Sequence, residues 1–347
     1  MVPLQNQPES LCILRLSALG DATHVLPVIR AIQDHWPETR LSWIIGRTEH
    51  RLLGGLEGVE FIPYNKAGGM SETRRLHEQL RKRRFDVLLH MQVAARANLL
   101  SCLIRAPVRL GWDRERSRDM HSRFVREHIA AVPFQHQVQA FLEFARALGV
   151  PTGDPRWDIP IEEEARSWTR EQIPGDQPVL LISPCSSHAA RNWLPERYAA
   201  VADHAAAERG MRIVLFGGPS ELERKTGAAI ESAMKEPCIN LVGKDTLEQS
   251  KALLERADLV LTPDSGPAHV ASALNTPVIG LHAATWSRRS GPYNSLNLCV
   301  DRFAEAAMKF RGKPPEKLRW GTRIEEPGVM DLVETSHVID RIERAGF

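Results

Sequence analysis

The sequence predicts an α/β protein made of two doubly wound, Rossmann-like units with parallel sheets. Three observations point there. Short apolar runs alternate with helix-like stretches along most of the chain, the pattern of βαβ units. The first of these runs, Leu-Cys-Ile-Leu at 11–14, is continuously apolar, as a strand buried on both faces of a parallel sheet must be. The alternation also comes in two series, parted by a joint rich in Pro and Gly at 150–178. A length of 347 residues suits two domains of ordinary size.

In the first series, 11–16 reads as a buried strand, 17–21 as the loop after it and 24–35 as a helix. Strands follow at 41–45 and 59–62, then a charged helix at 72–84. A strand at 85–90 leads into a helix running through 105. In the second series a helix ends before Pro174-Gly175, and strands are expected at 179–183, 212–216, 239–242, 259–262 and 276–280. A helix at 194–208 separates the first two of these. Residues 329–347 read as a last amphipathic helix, whose apolar positions must dock somewhere. The expected division is a first domain at 1–165, a second at 166–328 and this terminal helix.

Composition narrows the class. Apolar residues make up 43% and charged residues 25% of the chain, ordinary values for a globular protein. No run approaches the roughly 18 apolar residues of a membrane span. The polar start of the chain and Arg15 argue against a cleavable signal peptide. Five scattered cysteines without a CxxC pair suit a reducing cytoplasm and speak against a zinc ribbon. No HExxH is present, so no metal site is expected. The net charge of +2 hides an asymmetry. Residues 1–150 carry 21 basic and 15 acidic side chains, whereas the remainder is mildly acidic. Different partners for the two halves follow as an expectation.

Four segments carry candidate chemistry. At 259–274 an apolar strand runs into Asp264-Ser265-Gly266-Pro267 and a helix of small residues. Ser265 can cap that helix and Pro267 suits its first turn. Gly266 permits close approach to the backbone, and the free N–H groups favour an anion, most simply a phosphate. His269 lies in the same turn. An ordinary capped helix is the plainer alternative. The second segment, Ser183 to Glu196, places Ser186, Ser187 and Arg191 after a strand, where ligands of open α/β sheets bind. A guanidinium there can hold a diphosphate through paired hydrogen bonds; the alternative is a surface loop. In the third segment Asp21 follows a strand and a glycine. It is either a general base or a cap for a helix beginning near Thr23. The fourth is a band of six arginines from Arg109 to Arg126, with Arg96 upstream. Interleaved carboxylates suggest that part of it is an ion-paired surface. Arginine without lysine favours phosphate or carboxylate recognition. Nucleic acid is not expected, because few aromatics interleave and the pI is only 8.3. A dinucleotide GxGxxG and a Walker lysine motif are both missing.

Taken in order, Arg15-Leu-Ser-Ala-Leu-Gly-Asp21, the Ser186/Ser187…Arg191-Asn-Trp193 loop, Phe216-Gly-Gly-Pro-Ser-Glu221 and Asp264-Ser-Gly-Pro-Ala-His269 resemble the lipopolysaccharide heptosyltransferases, glycosyltransferase family 9. The similarity covers roughly residues 11–300, and its first string looks closer to the type I enzymes. The resemblance implies a GT-B fold, two Rossmann-like domains facing across a cleft. It implies metal-independent, inverting transfer of a heptose from ADP-L-glycero-D-manno-heptose to Kdo of the inner core. No cofactor is implied. By position Asp21 matches the catalytic base. Ser186, Ser187, Arg191, Glu221, Asp264, Ser265, Gly266 and His269 match donor-binding residues, Glu221 being the one expected on the ribose. Arg191 stands where type I enzymes usually carry a lysine. A basic front half would meet a Kdo–lipid A acceptor, with Arg96 and Arg118 as candidate contacts. The implied setting is the cytoplasm, with peripheral contact at the inner membrane. The alternatives are another family 9 transferase, heptosyltransferase II among them, and a non-catalytic nucleotide-sensing protein.

Overall fold

In the computed structural model, which describes residues 3–346, the division between two compact units falls between Pro160 and Ile161. Met1, Val2 and Phe347, which the expected boundaries include, lie outside the described residues.

The first unit forms around β1 (Ser10–Leu14), whose last four residues are fully buried. Five further parallel strands join it: β2 (Arg40–Gly46), β3 (Val59–Tyr64), β4 (Val87–His90), β5 (Val108–Gly111) and β6 (Glu127–His128). Their order is β3-β2-β1-β4-β5-β6. The chain therefore leaves β1 in one direction along the sheet and returns to its other side at β4. Register is tight there, with Leu14 opposite both Ile44 and His90. A crevice opens beyond the carboxyl ends of strands at such a switch point. Helices α1 (Leu19–Thr23), α2 (Leu26–His35), α3 (Arg47–Leu53), α4 (Gly69–Leu80), α5 (Ala95–Ser101) and α6 (Gln137–Leu148) make the connections. Leu76, Leu80, Ala97 and Leu100 from α4 and α5 pack with Cys12, Leu14 and Leu88 of the sheet.

The second unit repeats the plan. Its strands are β7 (Val179–Ile182), β8 (Arg212–Leu215), β9 (Cys238–Asn240), β10 (Leu259–Pro263), β11 (Val278–His282) and β12 (Val300–Asp301), ordered β12-β11-β10-β7-β8-β9. Here the switch lies between β7 and β10. Helices α7 (Glu163–Gln172), α8 (Pro195–Arg209), α9 (Glu221–Ala233), α10 (Leu247–Arg256), α11 (Gly266–Ala273), α12 (Ser287–Ser290), α13 (Phe303–Arg311) and α14 (Thr335–Arg344) complete the unit. The GT-B class expected from sequence holds: two six-stranded parallel sheets with helices.

Several elements differ from the sequence reading. The charged helix ends at Leu80 and α5 at Ser101, short of the expected 84 and 105. The terminal segment is a 3-10 turn (Val329–Leu332) followed by α14. Val338 and Ile342 are buried in the second unit's core, and Glu343 pairs with Arg209 of α8 at 2.8 Å. Strand β5 and helix α6 had no counterpart in the reading. β5 is short and interrupted by Arg109, whose guanidinium is drawn inward to the carbonyls of Ser101, Ile104 and Phe124. α6 carried legible ends: the His136 side chain accepts from the Val138 N–H, and Gly149 closes the helix at φ 91°, a conformation that favours glycine.

Candidate functional site

In the first unit, everything at the mouth of the sheet is organised by the segment after β1. The chain turns directly from Leu14 into α1, which carries Asp21 in its first turn. Asp21 is thus inside the helix and does not cap one starting near Thr23. The Arg15 Nη2 donates to its Oδ2 at 2.5 Å. Arg15 is only 8% exposed; its Nη1 donates to the Met91 carbonyl at 2.6 Å, and the guanidinium lies 5.3 Å from the centre of the Phe141 ring. From the end of β4, the Gln92 Oε1 accepts from the Leu16 N–H at 2.6 Å and its Nε2 donates to Ser17. The carboxylate is therefore held at the β1/β4 switch point, with Oδ2 as its hydrogen-bonded oxygen. The Asp21 side chain remains 37% exposed, so it is accessible from solvent.

Arg15 and Gln92 were not singled out from sequence. Arg15 stands within the first motif string, where a basic residue so soon after an apolar run was the available signal. Gln92 has no sequence signal, because its role depends on β4 lying beside β1.

In the second unit, the two donor segments expected from sequence follow β7 and β10, the strands that flank its switch point. They meet directly. The Arg191 Nη1 donates to the Asp264 Oδ2 at 3.2 Å, and the Asp264 Oδ1 stands 3.8 Å from the His269 Nε2. Asp264 is buried. Burial by itself pushes its carboxyl up, but the fields of His282, His269 and Arg191, with a hydrogen bond from Thr285, outweigh this and hold it below the ordinary carboxylate value. Arg191 is 8% exposed, and its Nε and Nη2 have no hydrogen-bond partner. Glu325 lies 3.7 Å from Nη2, too far for a hydrogen bond. Burial lowers the Arg191 pKa, against the opposing field of Asp264, yet a guanidinium stays charged at any physiological pH. Buried donors left unsatisfied cost about 1–3 kcal/mol each, so this guanidinium is suited to a second anion.

Ser265 occupies the N-cap position of α11 but does not cap it. Its hydroxyl is 2.8 Å from that of Thr262. Gly266 and Pro267 begin the helix, and its leading N–H groups have no side-chain cap. Ser186 is buried, with its N–H donating to Asn192 Oδ1 at 2.7 Å, while Ser187 is exposed. Glu221 opens α9 beyond the end of β8, is largely exposed and pairs with Lys225. Its neighbour Glu223 holds the preceding turn instead, accepting from the Gly218 N–H and Ser220 Oγ.

The basic band separates into two kinds of arginine. Arg109 is bound to carbonyls and Arg116 to Asp113. Arg96 and Arg118 are exposed, on α5 after β4 and on the loop after β5. Arg96 donates to the Lys66 carbonyl at 2.7 Å. Neither touches Asp21, but both stand beyond the same ends of the sheet. Among the described residues, no group of three or more His, Cys, Asp or Glu side chains is placed to hold a metal ion. No helix among them is long and apolar enough to cross a membrane.

Two doubly wound units with polar side chains gathered at both switch points define a ligand-binding type of α/β protein, and comparison with known proteins narrows it. Residues 73–318 match the model of glycosyltransferase family 9 (heptosyltransferase). The chain is 38% identical over 340 residues to the lipopolysaccharide core heptosyltransferase OpsX of Haemophilus influenzae, covering 98% of both chains. The fold matches that of a family 9 glycosyl transferase from Veillonella parvula with a TM-score of 0.79, 21% identity and 97% of each chain covered. It also matches the Escherichia coli heptosyltransferase WaaC with ADP, with a TM-score of 0.72, 18% identity and 97% and 100% coverage of this chain and that one. This chain belongs to glycosyltransferase family 9. It is a glycosyltransferase of the heptosyltransferase kind.

Proposed function

We propose that the enzyme transfers a heptose from ADP-L-glycero-D-manno-heptose to a Kdo residue of the lipopolysaccharide inner core, with inversion and without a metal ion. The observation that carries this reading is the buried Arg191, with two unsatisfied N–H donors beside the uncapped start of α11. Such a place suits a diphosphate. The ADP named with one solved structural neighbour, and the lipopolysaccharide core named for the relative at 38% identity, agree with it.

In this mechanism an acceptor hydroxyl attacks the anomeric carbon of the donor. The new C–O bond forms as the bond to the β-phosphate oxygen breaks on the opposite face. Asp21 takes the hydroxyl proton, with Arg15 holding its Oδ2 and leaving Oδ1 for the acceptor. Arg191 and the leading N–H groups of α11 stabilise the charge that grows on departing ADP. Asp264 and His269 orient Arg191, while Ser186, Ser187, Ser265 and Gly266 line the donor and Glu221 reaches its ribose. Arg96 and Arg118 attract the anionic acceptor. That acceptor places the enzyme in the cytoplasm, in peripheral contact with the inner membrane.

The test is mass spectrometry of the product formed from Kdo–lipid A and a panel of nucleotide sugars, with and without EDTA. A product heavier by one heptose, formed from ADP-heptose and unaffected by EDTA, is expected. Transfer from another nucleotide sugar in preference would overturn the donor; loss of activity on chelation, restored by Mg²⁺, would overturn the metal-independent mechanism.

A further inference from the structure

The three most exposed large apolar side chains among the described residues are Met70 at 87%, Leu99 at 66% and Met120 at 64%. All belong to the first unit, and hydrogen bonds bring their segments together. The Asp119 carboxylate accepts from the Ala95 N–H at 2.9 Å, and the Asp119 carbonyl accepts from Asn98 Nδ2 at 2.9 Å. Met120 is thereby held at the first turn of α5, where Leu99 lies one turn above Ala95 on the same face. Arg96 of that turn donates to the Lys66 carbonyl, which ties in the loop that leads to Met70 at the start of α4. The tip is built with some care: Asp119 and Met120 adopt φ of 50° and 59°. Two successive non-glycine residues in this region are unusual, and here the conformation carries an apolar side chain outward.

Around this tip exposed arginines outnumber exposed carboxylates. Arg114, Arg118 and Arg123 are exposed, and none has a carboxylate within ion-pair distance, in contrast to Arg116 with Asp113 and Arg146 with Glu143. Arg118, Met120 and Arg123 share one turn, closed by the bonds from His121 N–H to Arg118 and from Arg123 N–H to Met120. Glu115 and Asp119 are the exposed carboxylates of this stretch, and Asp119 is engaged by the Ala95 N–H.

We infer that Met70, Leu99 and Met120, with the unpaired arginines around them, form the face by which the enzyme docks on an anionic phospholipid bilayer. Unbranched and aliphatic side chains projecting singly between arginines suit shallow entry at the headgroup level, with guanidinium groups on lipid phosphates. A protein partner would instead be met by a recessed cluster of aromatic anchors. Apolar contact and basic charge are each weak alone, and reversible anchoring takes both. The inference deepens the reading of a membrane-borne acceptor and rests on it only for its purpose, since the surface itself stands on exposure and charge.

Sedimentation with vesicles tests this directly. The full-length enzyme is expected to pellet with vesicles of phosphatidylglycerol and phosphatidylcholine, much less with phosphatidylcholine alone, and less as salt rises. The triple variant Met70→Ser/Leu99→Ser/Met120→Ser should lose roughly tenfold or more in partitioning, given ~0.8 kcal/mol per buried CH₂. Arg114→Gln/Arg123→Gln should lose about thirtyfold, at ~1 kcal/mol per basic side chain. Both variants should keep their melting curves and their transfer to a soluble, deacylated acceptor. Wild-type protein that ignores anionic vesicles, or a triple variant that binds them equally well, overturns the inference. So does a triple variant that keeps vesicle binding but loses the soluble acceptor, because the surface then belongs to the acceptor site. A wild-type dimer that the triple variant dissolves, without vesicle binding, makes the face an interface between copies. Vesicle binding that responds as expected, in an enzyme that makes no heptosyl product, would leave this surface standing and remove the proposed reaction.

Discussion

Asp21 shows how little of a functional residue lies in the residue itself. Sequence offered a base or a cap, two roles open to an aspartate after a glycine. The structure removes the cap, since Asp21 lies within α1, and supplies Arg15 as a partner that fixes one oxygen. Asp21→Asn tests the proton-accepting role with minimal disturbance, because the amide oxygen can still accept from Arg15. We expect turnover to fall by ~10²–10⁴, the usual contribution of a general base. ADP binding and the melting temperature should hardly move. Near-normal turnover in this variant would remove Asp21 from proton transfer. Arg191 gives the converse lesson. Its basic character and its place after a strand were legible, whereas its burial and its pairing with Asp264, 73 positions away, were not.

At the scale of elements, the first unit is fastened by a histidine network that sequence periodicity does not reveal. His90 ends β4, Asn98 lies on α5 and His121 follows β5. Asn98 Nδ2 donates to the Asp119 carbonyl, which leaves Oδ1 as acceptor for both His90 Nε2 and His121 Nδ1, each at 2.9 Å. The Trp112 N–H in turn donates to His121 Nε2. His121 is thus a neutral imidazole protonated on Nδ1, and His90 carries a proton on Nε2. Burial, reinforced by the field of His121, holds the His90 pKa well below its usual value. Burial, then the field of His128, brings His121 down to about 4. As pH falls below the ordinary 6.5 of an unfolded histidine, the unfolded chain takes up protons first. The stability these groups contribute is full above that pH and is lost towards about 4. We expect the melting temperature to fall through this window. In His121→Gln the overall stability should be lower but its pH slope shallower. An unchanged slope in the variant would show that other groups govern the acid sensitivity.

For the whole molecule, the basic first 150 residues and the mildly acidic remainder suggest that each unit serves one substrate. Neutralising Arg96 and Arg118 together should raise the acceptor KM several-fold and leave the donor KM nearly unchanged, with an effect that shrinks as salt rises. Arg191→Met should do the reverse, raising the donor KM and lowering kcat. Initial rates for both substrates at low and high salt, with a melting curve for each variant, provide the measurement. A joint rise of both KM values in well-folded Arg96/Arg118 variants would end this division of labour.

The boundary between what was legible and what was not follows the range of the interactions concerned. Strand cores, the two βαβ series and the motif order are local, set by side-chain periodicity and by turn residues such as Gly266-Pro267, and these the sequence alone determined. It determined as well which loops bear chemistry, because parallel strands all deliver their following loops to one edge of a sheet. Only the tertiary structure decided which loops become neighbours. β1 lies beside β4 and β7 beside β10, and these pairings, between strands far apart in the chain, bring Gln92 to the segment that leads to Asp21 and Asp264 to Arg191. It likewise decided which arginines are spent on the protein's own carbonyls and carboxylates and which face solvent, a matter of burial and partner geometry that a run of identical residue types does not encode.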